Sequence, residues 1–219
     1  MIRRFLHVDP YGDFWKHPLR RLAKTLSPRY LVARARLTIW ENRHPNTPWL
    51  TQDAIAMLDR ILDGTQVGFE WGSGNGTIWF ARRSKHVISV EHHREWYEQI
   101  RSKLEAEGIR NHEYRFVNEE DYPNAIDDIP DESLDWVLVD GLFRDRTFEK
   151  SMPKVKRGGM IVFDNCNWHL PSRSSTPHSR TPADGPATSR WASLIPEIEK
   201  WTRVWTTNGV NDTAIFFKN

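Results

Sequence analysis

The stretch Phe69-Glu70-Trp71-Gly72-Ser73-Gly74-Asn75-Gly76-Thr77 decides how this chain folds. It follows a short apolar run, Gln66 to Glu70, and precedes a segment of helical character, Thr77 to Arg83, so it reads as the turn from a strand into a helix. Glycines at alternate positions let the backbone turn tightly and let a ligand lie against it. Glu70, two residues before the first glycine, can reach the ammonium group of a bound amino-acid moiety. A plain turn has no use for three glycines and an acid together. The dinucleotide-binding pattern G-x-G-x-x-G fits Gly72 and Gly74, but its third glycine falls on Thr77, and Gly76 comes one residue early.

Strands and helices alternate on the far side of this turn. The pattern predicts strands at 86–90, 114–117, 134–139 and 160–163, with helices over 95–107 and 147–156 between them. Such alternation calls for an α/β fold with a mostly parallel, Rossmann-like sheet wound on both faces by helices. A helix over 191–200 and two strands, 201–205 and 213–217, complete the pattern, and Asn208-Gly209 marks the hairpin between those strands. Residues 1–50 read as a helical extension, and 51–219 as the main domain. Ser27-Pro28 starts a helix in the extension, with Leu31, Ala35 and Ile39 at helical spacing, and Thr51 caps the helix that follows. The run PSRSSTPHSRTPADGPATSR, 171–190, has almost no apolar residues and is expected to be a mobile loop.

The ends of the strands carry the chemistry. The second strand ends in Glu91, 21 residues after Glu70, where an acid can accept hydrogen bonds from both hydroxyls of a ribose. Asn118-Glu119-Glu120-Asp121 follows the third strand, and Asp121 is the preferred partner for an adenine amino group. The fourth strand ends in Asp140-Gly141 and the fifth in Asp164-Asn165, and both open onto the same crevice in an open α/β sheet. Asp140, Asp164 and Asn165 together offer three oxygen ligands, a set that suits Mg²⁺.

The pattern E-x-G-x-G-x-G, with an acid after the second strand, resembles the first motifs of the class I S-adenosylmethionine-dependent methyltransferases. The likeness runs over residues 49–165 and is nearest to the small-molecule, catechol O-methyltransferase-like group. It implies a seven-stranded sheet whose last strand is reversed, and S-adenosylmethionine as cofactor. It places Glu70, Gly72, Ser73, Gly74, Asn75, Gly76, Glu91, Asp121 and Asp140 around that cofactor. In that group an Asp after strand four and an Asp-Asn pair after strand five hold magnesium, so Mg²⁺ at Asp140, Asp164 and Asn165 is part of the expectation. The group also has a lysine three residues after the first Asp, where this chain has Phe143, followed by Arg144. Arginine stays protonated and makes a poor base, so His169 is the alternative general base, and Asp140, His169 and Arg144 are the candidate catalytic residues.

Composition narrows the acceptor. Net charge is +2, but residues 1–50 hold ten Lys/Arg and three Asp/Glu (+7), against 21 and 26 in the remainder (−5). The basic segment leaves an RNA-docking methyltransferase as the second reading, and a non-catalytic adenosine-nucleotide-binding protein as the third. The Asp140-Gly141-Leu142-Phe143 run lacks the Asn/Asp-Pro-Pro-aromatic pattern of amino-directed nucleic-acid enzymes, which makes a nucleic-acid substrate the weaker choice. A small-molecule or glycan hydroxyl is the expected acceptor, and a homodimer is allowed for. The lone cysteine, Cys166, excludes an internal disulfide and fits a reducing, cytoplasmic setting. No apolar run approaches the ~20 residues of a membrane span, and MIRRFLHVDPYGDFWKHP lacks the pattern of a signal peptide.

Overall fold

Seven strands make one sheet in the order β3-β2-β1-β4-β5-β7-β6 in a computed structural model of the chain, which describes residues 18–219. The strands are β1 (Val67–Trp71), β2 (His86–Glu91), β3 (His112–Phe116), β4 (Leu134–Val139), β5 (Val155–Asp164), β6 (Thr202–Thr207) and β7 (Asp212–Phe217). Pairing is parallel from β3 through β5, and β7 runs antiparallel to both β5 and β6. This is the Rossmann-like arrangement with a reversed last strand that the sequence predicts. The chain order reverses between β1 and β4, and a crevice opens beyond the carboxyl ends of strands at such a point. The Asn208-Gly209 hairpin also forms: Gly209 takes φ +83°, and the Asn208 side chain accepts from the amides of Val210 and Asn211.

Among the described residues seven α-helices flank the sheet: α1 (Pro18–Thr25), α2 (Pro28–Arg43), α3 (Gln52–Ile61), α4 (Asn75–Ala81), α5 (Arg94–Ala106), α6 (Arg144–Lys154) and α7 (Ser189–Ile198). Alternate strand residues feed two cores, as the period of a strand requires. Val137, Val139, Ile161 and Phe163 pack with Phe148, Trp191 and Phe216 on one face. Trp136, Leu138 and Val162 pack with Ala54, Leu58 and Phe80 on the other. Large rings fill these layers, and the fully buried Trp71, Trp136 and Trp191 account for part of the chain's eleven tryptophans. No helix among the described residues is long and apolar enough to cross a membrane.

Two expectations, on Thr51 and on 171–190, meet a different outcome, and the structure settles which face of one helix meets the domain. The 28–43 helix forms and is capped by Ser27 Oγ on the amide of Tyr30, but its Leu31-Ala35-Ile39 face points to solvent, and Leu37 is the buried residue. Thr51 occupies the cap position of α3 without a side-chain cap. Its hydroxyl pairs with that of Thr206, and its amide donates to Thr213 Oγ1 at 3.1 Å. Residues 171–190 are held by polar contacts that composition does not reveal. Asn167 Nδ2 donates to Thr176 and Ser179, the Arg180 amide bonds the Asn167 carbonyl at 2.9 Å, and Arg180 Nε bonds the Gly185 carbonyl at 2.7 Å. The N-terminal leader reading falls on residues 1–17, outside the described residues.

Candidate active site

The carboxyl ends of β1, β2 and β4 form the floor of a cleft of about 740 Å³, walled by Pro48 and Trp49 on one side and His92, Trp96 and Trp168 on others. The glycine loop enters from β1, and its three glycines have three different duties. Gly72 has φ +86°, and a Cβ there would sit 2.9 Å from the Gly141 Cα, so two strand ends touch backbone to backbone. Gly76 packs on Pro48, where an added Cβ would lie 3.0 Å from the ring. Gly74 is extended at φ −170°, with nothing within 4 Å of an added Cβ, and it opens into the cleft.

Glu70 lies beneath this loop, 1% exposed. Its Oε2 accepts from Thr77 Oγ1 at 2.8 Å and Ser89 Oγ at 2.6 Å, and Thr77 in turn accepts from the Gly74 amide at 2.9 Å. Burial pushes the carboxyl up to about 8, those two hydroxyls oppose the shift, and Asp140 and Glu91 add to it by repulsion. At neutral pH the unliganded site therefore holds Glu70 mostly as the acid. Thr77 and Ser89 were not among the sequence candidates; their signal was a hydroxyl on each element beside the acid.

Glu91 ends β2 with both oxygens engaged. Oε2 accepts from the Ser73 amide at 3.2 Å and hydroxyl at 3.0 Å, and Oε1 from the amides of His92 and His93 at 2.9 and 2.8 Å. Ser73 Oγ also meets the Tyr114 hydroxyl at 2.6 Å, and Trp96 Nε1 donates to the Ser73 carbonyl at 2.7 Å. The loop is thus fastened to β2, β3 and α5. Asn75 begins α4 and lines the cleft. Asp121 does not: it is exposed at the start of a short 3-10 turn, Tyr122–Asn124, away from the cleft wall. His92, His93, Trp96 and Gln99 occupy the wall beside Glu91 instead, and the sequence offered no spacing that would mark them.

At the other end of the cleft, Arg144 ties β4 to β5. Its Nη2 donates to Asp140 Oδ1 at 2.6 Å and to the Asp140 carbonyl at 3.0 Å, Nη1 to the Asp164 carbonyl at 2.6 Å, and Nε to the Gly141 carbonyl at 3.2 Å. Phe143 at φ 48° and Asn165 at φ 50° hold the left-handed conformation in the two flanking turns, a cost of order 1–3 kcal/mol each that packing must offset. Burial raises the Asp140 carboxyl, and Arg144 opposes that rise. Asp164 is 2% exposed and turned from the cleft, with Oδ1 accepting from Thr213 Oγ1 at 2.9 Å and Oδ2 from Asn165 Nδ2. Burial and Asp140 push it up to about 8. Asn165 lines the cleft, and its buried Oδ1 has no hydrogen-bond partner.

His169 lies elsewhere. A 3-10 turn over Cys166–Trp168 returns the chain toward the core, where the His169 ring packs 5.2 Å from Phe163 and 5.8 Å from Trp191. It is 3% exposed, does not line the cleft, and burial holds it well below the usual imidazole value. Trp168 reaches the cleft in its place. Cys166 is buried, with its thiol raised by desolvation, which fits packing rather than nucleophilic work.

Residues 69–166 match the family model described as a methyltransferase domain. No curated protein matches the chain. Among solved structures, an O-methyltransferase from Bacillus cereus in complex with SAH superposes over 100% of this chain and 100% of its own, at 17% identity and a TM-score of 0.56. A candidate caffeoyl-CoA O-methyltransferase from Staphylococcus aureus covers 94% of this chain and 100% of its own, at 18% and 0.56. An rRNA methylase from Streptococcus thermophilus covers 78% and 99%, at 13% and 0.52. At such identities the likeness fixes the fold and leaves the acceptor open. Residues 69–166 thus match a methyltransferase domain, and the strand order with its reversed last strand is the fold of the solved methyltransferases on which the chain superposes.

Proposed function

We propose that this chain methylates a hydroxyl of a small molecule or sugar, with S-adenosylmethionine as donor and without a divalent cation. The observation that carries the reading is the cleft itself: an open Gly74 beside a buried Glu70 that burial keeps protonated up to about pH 8 until a cation faces it, with Asp140 at the far wall. In this reading Glu70 gives up its proton and faces the ammonium of the cofactor, while Gly74 leaves room for its chain. Glu91 takes a ribose hydroxyl in place of Ser73, and the adenine lies against His92 and Trp96 rather than near Asp121. The bound cofactor supplies an electrophilic methyl group on a sulfonium that leaves as a neutral thioether.

The three oxygen donors do not fit magnesium. The guanidinium of Arg144 already neutralises Asp140, and Asp164 spends both oxygens on Thr213 and Asn165. Asp140 is then the proton acceptor. Arg144 holds Oδ1, leaving Oδ2 for the acceptor hydroxyl, and burial makes this carboxylate more basic than one in water. The vacant Asn165 Oδ1 is suited to orient a second hydroxyl or amine on the acceptor. His169 has no part in the step.

Calorimetric titration with S-adenosylhomocysteine tests the site. Micromolar binding by the wild type and none by folded Gly74→Arg is the expected pair, because that side chain would fill the open space. No binding by folded wild type refutes the reading. Asp140→Asn should then retain binding and lose transfer.

A further inference from the structure

We propose that the outward faces of α1 and α2 dock on an anionic lipid surface. Helix α2 carries two apolar stripes rather than one. Leu37, with half-buried Ala33 and Trp40, faces the domain. Leu31, Ala35 and Ile39 form a second stripe on the opposite side, with Val32 at its edge above a cavity shared with the 207–209 turn, and Leu31, Val32 and Ile39 are 55%, 50% and 52% exposed. In and just after α1, Leu19, Leu22 and Leu26 fall at i, i+3 and i+7 and are 80%, 49% and 64% exposed. Six of the nine large hydrophobic side chains exposed among the described residues thus lie within 21 positions of one another. Single exposed leucines are ordinary, but a cluster of this kind marks a surface that meets something.

The rim identifies the partner. Residues 18–43, which span α1 and α2, contain seven Lys/Arg and one acid, Glu41. Arg29, Arg36 and Arg43 are exposed beside the α2 stripe. An isologous dimer through this face would bring two such cationic rims together, and the stripe would gain burial only against that repulsion. An RNA would satisfy the arginines and leave six aliphatic side chains in water. An anionic bilayer satisfies both, with aliphatic side chains at the acyl boundary and guanidinium groups among the headgroups. The chain leaving α2 continues through Pro45 to Pro48, Trp49 and Leu50, which line the cleft. Trp49 is 45% exposed there, and an indole is at home at the headgroup level. A protein docked through α1 and α2 therefore holds the cleft beside the lipid surface. The docking claim stands whichever acceptor the cleft takes.

Co-sedimentation of the full chain with vesicles of phosphatidylcholine, with and without phosphatidylserine, tests it. Binding is expected to the phosphatidylserine vesicles only, and to weaken with salt. The pair Leu31→Glu with Ile39→Glu, and separately Arg29→Glu with Arg36→Glu, should each lower partitioning by roughly tenfold or more, with the thermal midpoint unchanged. Absence of binding to either vesicle overturns the proposal. So does a dimer, seen by light scattering, that the same substitutions dissociate. Co-purifying RNA whose removal abolishes sedimentation overturns it as well.

Discussion

Binding of S-adenosylhomocysteine near neutral pH should release close to one proton, and Glu70 should be its source. In the empty site this carboxyl sits at about 8 because it is buried between Thr77, Ser89 and two other acids. An ammonium placed against it stabilises the anion, so the bound form is ionised well below pH 7. A group with a value of about 8 is roughly nine-tenths protonated at pH 7, giving about 0.9 proton released per ligand. Affinity follows the ionised fraction. The Kd should fall about tenfold from pH 6 to 7 and about fivefold from pH 7 to 8. Calorimetry at one pH in phosphate and in Tris, whose ionisation enthalpies differ widely, reads the proton count from the slope of the observed enthalpy. Glu70→Gln should remove both the slope and the pH dependence while weakening binding. A slope of zero in the wild type, with a constant Kd across this range, would refute the assignment of Glu70 to the ammonium.

The same carboxyl affects stability in the opposite sense. Its value in the folded protein lies above its ordinary 4.5, so its contribution is fully present below that pH and is lost as pH rises toward 8. Denaturant titrations should show Glu70→Gln losing about 1.4 kcal/mol less per pH unit than wild type across that window, with Asp164 retaining a slope of its own. Two glycines should separate folding from binding: Gly141→Ala puts a Cβ 2.0 Å from the Tyr122 hydroxyl and should cost about 1–3 kcal/mol in chemical denaturation. Gly74→Ala meets nothing, should change stability by less than about 0.5 kcal/mol, and should weaken S-adenosylhomocysteine binding. Chelation by EDTA should leave the initial rate of methyl transfer unchanged once an acceptor is found, and a rate lost to EDTA and restored by Mg²⁺ would overturn the role given to Arg144.

Much of the architecture was legible because it rests on local signals. The glycine loop, the strand periodicity of β2, β4 and β5, and the Asn208-Gly209 turn each specify their own backbone, and the reversed last strand came with the resemblance that the glycine loop carries. What escaped is what depends on neighbours distant in sequence. The Leu31-Ala35-Ile39 periodicity says that a helix has an apolar face, but nothing local says which of two faces meets the domain. His169 sits four residues past Asn165, yet one 3-10 turn decides between cleft and core. A polar segment at 171–190 reads as unanchored because its partner, Asn167, is itself polar, and each makes sense only beside the other. Arg144 reads as a poor base, which is true. Its role as the cation between two strand ends emerges only when Asp140 and Asp164 are placed in space.

The strand that closes the sheet also bears on when the site can exist. Thr213 of β7 accepts from the Thr51 amide, 162 positions earlier, and donates to Asp164, 49 positions earlier. One hydroxyl thus joins the start of α3, the end of β5 and the reversed strand. Such a contact forms late, because its loops must close first. A truncated chain stopping after Asn165 would hold every acid and glycine that lines the cleft and still leave β5 an open, aggregation-prone edge with Asp164 stripped of its Thr213 partner. During synthesis the chain should remain dependent on protection until β7 has inserted between β5 and β6, and only then become competent to take up a ligand.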